Sequence, residues 1–142
     1  MSVEFDRQNS FGWMINVIAN KASKDFDLEL KKHGLTIALW PTLMCLREEE
    51  GITQRDIAAK SKVENSTTTR TLDKLEKLEL VERRADPNSR RSFRIYLTEK
   101  GKALEEQLIS IPARLNKELM SELDEQEQQQ ILKLLQKMVA AI

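Results

Sequence analysis

A single cysteine, Cys45, and a single histidine, His33, are all that the sequence offers to disulfide, metal and imidazole chemistry. One cysteine excludes an internal disulfide framework and fits a reducing compartment. One histidine, with no cysteine cluster and no second histidine at ligand spacing, excludes a dedicated zinc site, so no metal is expected. It also excludes most general-base schemes. With neither a G-x-S-x-G elbow, a phosphate-binding loop nor a paired-carboxylate setting, the chain reads as a protein that is not an enzyme. No apolar run approaches the roughly 18 to 20 residues that cross a bilayer. The opening MSVEFDRQNS lacks the basic, apolar and cleavable sections of a secretory signal, which leaves the cytoplasm as the expected location. Glycine and proline are few, 4 and 3 in 142 residues, and no linker, repeat or low-complexity tract appears. One domain, rich in helix, is what this composition supports.

Net charge is also lacking, and taken as a total that argues against a nucleic-acid partner. The distribution reverses the argument. Residues 51–102 hold 13 basic and 8 acidic side chains, whereas 1–50 hold 6 and 8 and 103–142 hold 4 and 7. Screening limits charge interactions to about 8 Å at physiological salt, so a polyanion responds to the local patch. Any such partner is expected on the middle third.

Apolar spacing predicts a long amphipathic helix over 7–32, with Phe11, Met14, Ile15, Ile18, Ala22, Phe26 and Leu30 on one stripe and Gly34 ending it. Thr36 can cap a second helix to about residue 49, in which Pro41 predicts a kink or a late start. Thr53, with Asp56 three residues on, predicts the capped start of a short third helix, with Ile52 stapled to Ile57. A turn then leads to a helix over 64–79. Residues 80–84 and 93–97 alternate as a strand pair, with Phe93, Ile95 and Leu97 on one face and Arg94 and Tyr96 on the other. Asp86-Pro87-Asn88-Ser89 supplies the turn between them. Thr98 begins a long helix that Pro112 should bend. Asp124 with Glu127 starts a last one bearing Ile131, Leu134, Leu135, Met138 and Ile142. The fold class is therefore mainly α, about six helices, with one small β-hairpin.

The order helix, turn, helix, strand, arginine-rich turn, strand over 53–98 carries the functional reading. On a helical wheel of the 64–79 helix, Leu72 and Leu75 fix the buried side, and Thr68 and Leu78 fall at its margins. The opposite side holds Ser66, Arg70, Lys74 and Lys77, with Thr67 at its edge. Hydroxyls and an arginine in the first turns suit base edges in a major groove, where arginine binds guanine in bidentate fashion. A hydroxyl cluster at a helix start is equally a capping segment, and a basic outward face is equally a solvated one. The hairpin decides between these readings. RRADPNSRR concentrates like charge on a tight turn, which costs stability unless an anion offsets it, and arginine at such a tip suits a minor groove.

These residues carry a resemblance to the MarR family of winged helix-turn-helix transcription regulators, over nearly the full length. The matching stretches are LWPTLMCL, ITQRDIAAK, STTTRTLDKLEKLELVERR and DPNSRRSFRIYLTEKG. In the last of these, the spacing of D-P-x-x-R-R and then L-T-x-x-G is the most specific. The resemblance implies a winged helix-turn-helix lobe over 35–98 and helical dimerisation segments over 1–34 and 99–142. It implies a homodimer on a pseudo-palindromic DNA operator, more often a repressor than an activator. Ser66, Thr67 and Arg70 would read bases, Arg90 and Arg91 would hold the minor groove, and Lys74 and Arg94 would touch phosphates. Asp86 falls where the family has an aspartate that braces the wing.

Many family members leave DNA when a small anionic aromatic effector binds between the dimer and DNA lobes. By position, Thr69 and Arg83 match residues that face such ligands, and Trp13 and Met14 could line the same cleft. No cofactor is implied. Two departures from the family pattern stand out: Glu79 replaces a helix-ending glycine, and Ser89 replaces a wing-tip aspartate. Two alternative functions remain. One is a winged-helix protein-interaction module without DNA binding. The other is a redox-responsive regulator using Cys45, although the sensing cysteines of relatives lie in the first helix and Cys45 reads as a small buried hydrophobe.

Overall fold

A computed structural model describes residues 3–142; Met1 and Ser2, at the start of the expected 1–34 segment, lie outside the described residues. The order of elements is α1 (Phe11–Lys31), α2 (Trp40–Glu48), β1 (Ile52–Thr53), α3 (Gln54–Ser61), α4 (Asn65–Lys77), β2 (Val81–Asp86), β3 (Ser89–Leu97), α5 (Glu99–Leu108), α6 (Ser110–Leu119) and α7 (Glu125–Ala140). The fold is mainly helical, as the periodicity predicts, and the sheet is a hairpin with one short extra strand.

Local chemistry sets most boundaries. Thr53 accepts from the Asp56 N–H while Asp56 accepts from the Thr53 N–H, and Asp124 and Glu127 repeat this reciprocal cap at α7. Gly34, at φ +74°, ends α1. The Gly34 N–H donates to Lys31 O and the Leu35 N–H to Leu30 O, which satisfies two terminal carbonyls and folds buried Leu35 back towards buried Leu30. Pro41 sits in the first turn of α2, so of the two expected outcomes the helix takes the late start, behind a 3-10 turn over Ile37–Leu39. Thr36 makes no side-chain cap there. Asp27, ten residues upstream, accepts from the Ile37 N–H at 3.0 Å instead.

Three further expectations are refined. The helix after Thr98 is divided rather than bent: the ring of Pro112 cannot coexist with an α-helical Leu108 carbonyl, and α5 ends at Leu108. Among the described residues, seven α-helices result. The sheet has three strands, in the order β1-β3-β2, because Ile52 and Thr53 pair with Ile95 and Arg94. Phe93 does not share the burial of Ile95 and Leu97; it is half exposed at 51%, because β3 outruns the core and carries the wing into solvent.

The core is an aliphatic cluster, with Leu43 and Leu46 of α2, Ile57 of α3, Leu72 and Leu75 of α4, and Ile95 and Leu97 of β3 all buried. Each such side chain contributes about 1.5–3 kcal/mol of burial. Leu30, Ile111 and Leu115 extend this core to α1 and α6, where Phe26 meets Trp40 edge to face at 4.9 Å. Gly101 has a separate task. A Cβ there would stand 2.2 Å from the Leu80 carbonyl oxygen, so only glycine lets α5 start this close to the sheet. Thr98 completes the corner: its hydroxyl donates to Glu79 O at 2.6 Å and accepts from the Gly101 N–H at 3.0 Å.

Candidate nucleic-acid interface

The α4 helix is positioned by what it buries. Leu72 and Leu75 are fully enclosed, and so is Thr68, at 1% exposure, which puts it inside the core rather than at its margin. Its hydroxyl is satisfied locally by donation to Glu64 O at 3.1 Å, so the burial costs little. With that side fixed, Ser66, Thr67, Arg70 and Lys74 all fall on the exposed side. Gln54, the first residue of α3, locks the start of α4 from the inside. Its side-chain amide donates to Asn65 O at 3.3 Å, to Asn65 Oδ1 at 3.2 Å and to the Thr69 hydroxyl. The two helices of the motif are thereby held at one angle.

Glu79 ends α4 in the left-handed conformation at φ +61°, the place where glycine is favoured. The Leu80 N–H reaches Leu75 O at 3.0 Å and the Glu79 N–H reaches Glu76 O at 2.9 Å, the same closure as at Gly34. Glutamate therefore adopts the glycine geometry instead of ending the helix another way. Lys100 helps to hold it by donating to Leu78 O at 3.1 Å.

The wing is β2 and β3 paired antiparallel from Val81–Leu97 to Ala85–Phe93, with a register shift between Ala85 and Asp86. Its arginines divide into two groups, a division invisible in the composition. Arg83 is committed to α4, with Asp73 at 2.7 Å and Glu76 at 3.6 Å. Arg84 pairs with Glu82 and lies over the Tyr96 ring at 4.0 Å. Arg94 donates to Asp86 Oδ1 at 3.3 Å and to Gly51 O at 2.7 Å. Expected on phosphates, Arg94 is half-buried and ties the wing to the turn before β1 instead. Asp86 also accepts from the Asn88 N–H at 3.0 Å, and that contact and Arg94 together hold its carboxyl below the usual carboxylate range. Ser89, in place of aspartate, still organises the tip by accepting from the Arg91 N–H at 3.3 Å. Among the described residues, Arg70, Lys74, Arg90 and Arg91 have no carboxylate partner, and all four are exposed. Within α4 and the wing, the cations without a carboxylate partner are Arg70, Lys74 and Lys77 on the helix and Arg90 and Arg91 at the wing tip.

Between helix and wing lies a cleft of about 620 Å³ lined by Gln54, Asn65, Thr69, Arg83, Arg91 and Phe93, among others. Thr69 and Arg83 both line it, although it lies within the helix-turn-helix lobe and not between that lobe and the dimerisation helices. Trp13 and Met14 are not part of it. Met14 faces a separate apolar groove of about 540 Å³ between α1 and α7, and Trp13 lies on α1 beneath the Arg7 guanidinium at 4.9 Å. Nothing in the sequence marks Gln54 or Asn65 for this cleft, and the one hint for Phe93 is an apolar residue at the far end of a strand too long for its core.

Cys45 is 6% exposed in the core, and burial, with Glu48 adding, pushes its thiol up. A buried, protonated thiol is a poor redox sensor. Among the described residues no cluster of histidine, cysteine or carboxylate could hold a metal ion, and no helix is long and apolar enough to cross a membrane.

Comparison with known proteins agrees with this geometry. The MarR family model matches residues 35–93, from the start of the helix-turn-helix region into β3. The HTH-type transcriptional regulator SarZ of Staphylococcus saprophyticus is 30% identical over 120 residues, covering 84% of this chain and 81% of its own. A MarR transcriptional regulator from Methanosarcina mazei superposes with a TM-score of 0.86 at 30% identity, over 92% of this chain and 94% of its own. MepR of Staphylococcus aureus, solved in complex with DNA, superposes with a TM-score of 0.86 at 28% identity, over 98% of this chain and the whole of its own. The chain belongs to the MarR family of winged helix-turn-helix transcriptional regulators, and it is not an enzyme.

Proposed function

We propose that this regulator binds a pseudo-palindromic operator as a homodimer and represses transcription in the cytoplasm, with release by a small anionic aromatic effector. Residues 35–98 form the DNA-binding lobe in this reading, and 1–34 with 99–142 build the dimer. The observation that carries it is the segregation of charge between braced and free cations. Arg83, Arg84 and Arg94 are spent on holding the wing, while Arg70, Lys74, Arg90 and Arg91 stand unpaired on surfaces that a duplex would meet.

In this reading Ser66, Thr67 and Arg70 meet base edges in the major groove, Lys74 meets a phosphate, and Arg90 and Arg91 meet the minor groove. Asp86 acts through Arg94 by fixing the wing's angle. Dimerisation is supported by the apolar stripe of α1 and α7, where Phe11, Met14, Ile18, Leu134 and Met138 are 39–53% exposed. An exposed apolar face of that extent calls for a partner. The effector reading rests on the cleft between α4 and the wing, whose lining includes Arg83, Arg91 and Phe93. An anion bound there would engage Arg91, which DNA also requires, so effector and operator compete for one guanidinium. Trp13 and Met14 would take part only across the dimer cleft.

The test is fluorescence anisotropy on an operator duplex across a salt series. Arg91→Ala is expected to weaken binding by about 1–3 kcal/mol and to lower the salt slope by about one unit for each phosphate it no longer neutralises. Unchanged affinity and slope would remove the wing from the interface. In the same assay, millimolar hydroxybenzoate should release the wild-type duplex; equal binding with and without it would remove the effector from the reading.

A further inference from the structure

Among the described residues, one buried side-chain polar atom has no hydrogen-bond partner, and it lies far from the DNA face: Oε1 of Glu105 on α5. Glu105 is 3% exposed, and it stands where α5 leaves the sheet and packs against α2. That contact is the joint between the DNA-binding lobe and the helices that follow it. Two ion pairs clamp the joint. Arg47 of α2 reaches Glu106 at 3.0 Å, and Lys102 reaches Glu50 at 3.7 Å, while Glu50 also accepts from the Leu97 N–H at 2.8 Å. A cavity of about 370 Å³ is shared by these four charged groups and Glu105.

We propose that this joint is a proton-responsive coupling, in which Glu105 is neutral when α5 is clamped to α2 and its ionisation redirects Arg47 from Glu106 to Glu105. The proposal rests on the DNA-binding function proposed for the dimer, since what the joint would control is the angle between the lobes that hold the two recognition helices.

An ionised carboxylate without a hydrogen-bond donor costs far more in such a site than the protonated form does. The charged groups facing it are Arg47 from α2, Glu50 from the following turn, and Lys102 and Glu106 from α5; β3 contributes Leu97, and α6 contributes none to the cavity. Burial pushes the Glu105 carboxyl up to about 7, with Arg47 opposing and Glu50 and Glu106 adding to the rise. Below that pH the proton stays on Glu105 and Arg47 is free to hold Glu106. Above it the proton goes to solvent, and three carboxylates then compete for Arg47 and Lys102. The group's folded value lies above its ordinary one of 4.5. Its contribution to stability is therefore present in acid and is lost as pH rises towards and through about 7.

The test compares wild type with Glu105→Gln, a neutral side chain of the same shape, from pH 5.5 to 8.5. Thermal midpoints without DNA read the joint directly. The variant's advantage in midpoint over wild type should grow as pH rises from 5.5 and level off above about 7, leaving it clearly the more stable at pH 8.5. Anisotropy on a duplex selected from a random library reads the coupling. Wild-type affinity should fall severalfold more than the variant's between pH 6 and 8. Parallel midpoints and parallel affinities would overturn the proposal. If neither protein binds duplex at any pH, DNA binding itself fails, while the midpoints still judge the joint. Should the variant not fold, carboxyl carbon-13 titration of wild type decides: one glutamate titrating near neutrality supports the proposal, and all of them titrating near 4.5 refute it.

Discussion

Helices α4 and α7 carry similar apolar stripes and meet opposite fates. On α4 the stripe is consumed within the chain: Thr68, Thr71, Leu72 and Leu75 are buried against α2, α3 and the sheet. On α7 no residue is buried, and Ile131, Leu134 and Met138 remain 37–53% exposed along a groove shared with α1. The same kind of pattern thus serves two ends. One region folds on its own contacts, and the other presents a surface that only a second molecule completes. A helix buried by its own chain can present its polar face with fixed geometry, which is what reading bases requires. A helix pair left open can set the distance between two such faces, which is what an operator of two half-sites requires.

Breaking the open region should have the larger consequence for function. Leu134→Glu with Met138→Glu places charge in the shared groove. The variant is expected to sediment as a monomer, with its α2–α4 core intact by circular dichroism. Losing the second lobe should weaken operator binding about 10²-fold or more. A dimer that persists would reassign the interface. Breaking the closed region should show as stability instead. Leu72→Ala is expected to cost about 2–5 kcal/mol in urea unfolding, because a fully enclosed leucine leaves a cavity behind. A cost below about 1 kcal/mol would mean that the lobe is not tightly packed around α4. The smallest effect sharpens the comparison at the end of α4. Glu79→Gly should stabilise the protein by about 1 kcal/mol, since glycine adopts φ +61° without a Cβ clash. Destabilisation would show that the glutamate side chain holds something that its backbone does not reveal.

What the sequence discloses, and what it hides, follows the range of the interactions. Local ones are legible: the reciprocal caps at Thr53 and Asp124, the left-handed close at Gly34, the turn at Pro87-Asn88 and the interruption before Pro112 all depend on residues within five positions. The face of α4 presented to solvent is legible too, because its leucines fix the other side. Long-range commitments are not. Arg94 is spent on Asp86 and on Gly51, 43 residues away, and nothing in RRADPNSRRSFR distinguishes it from Arg90 and Arg91. Asp27 caps across ten residues where Thr36 has the better local claim. Phe93 follows the alternation of a core strand and is exposed because the core ends before the strand does. Glu105 sits in a helix rich in charge, and only the packing of α5 on α2 makes it the buried one.

The most direct measurement is selection of duplexes from a random library by the wild-type protein, followed by sequencing. Two exposed α4 faces held by one shared helical base should enrich inverted half-sites with centres about 10–10.5 base pairs apart, one turn of the duplex. Enrichment of a lone half-site, of variable spacing, or of nothing above the input would contradict the account.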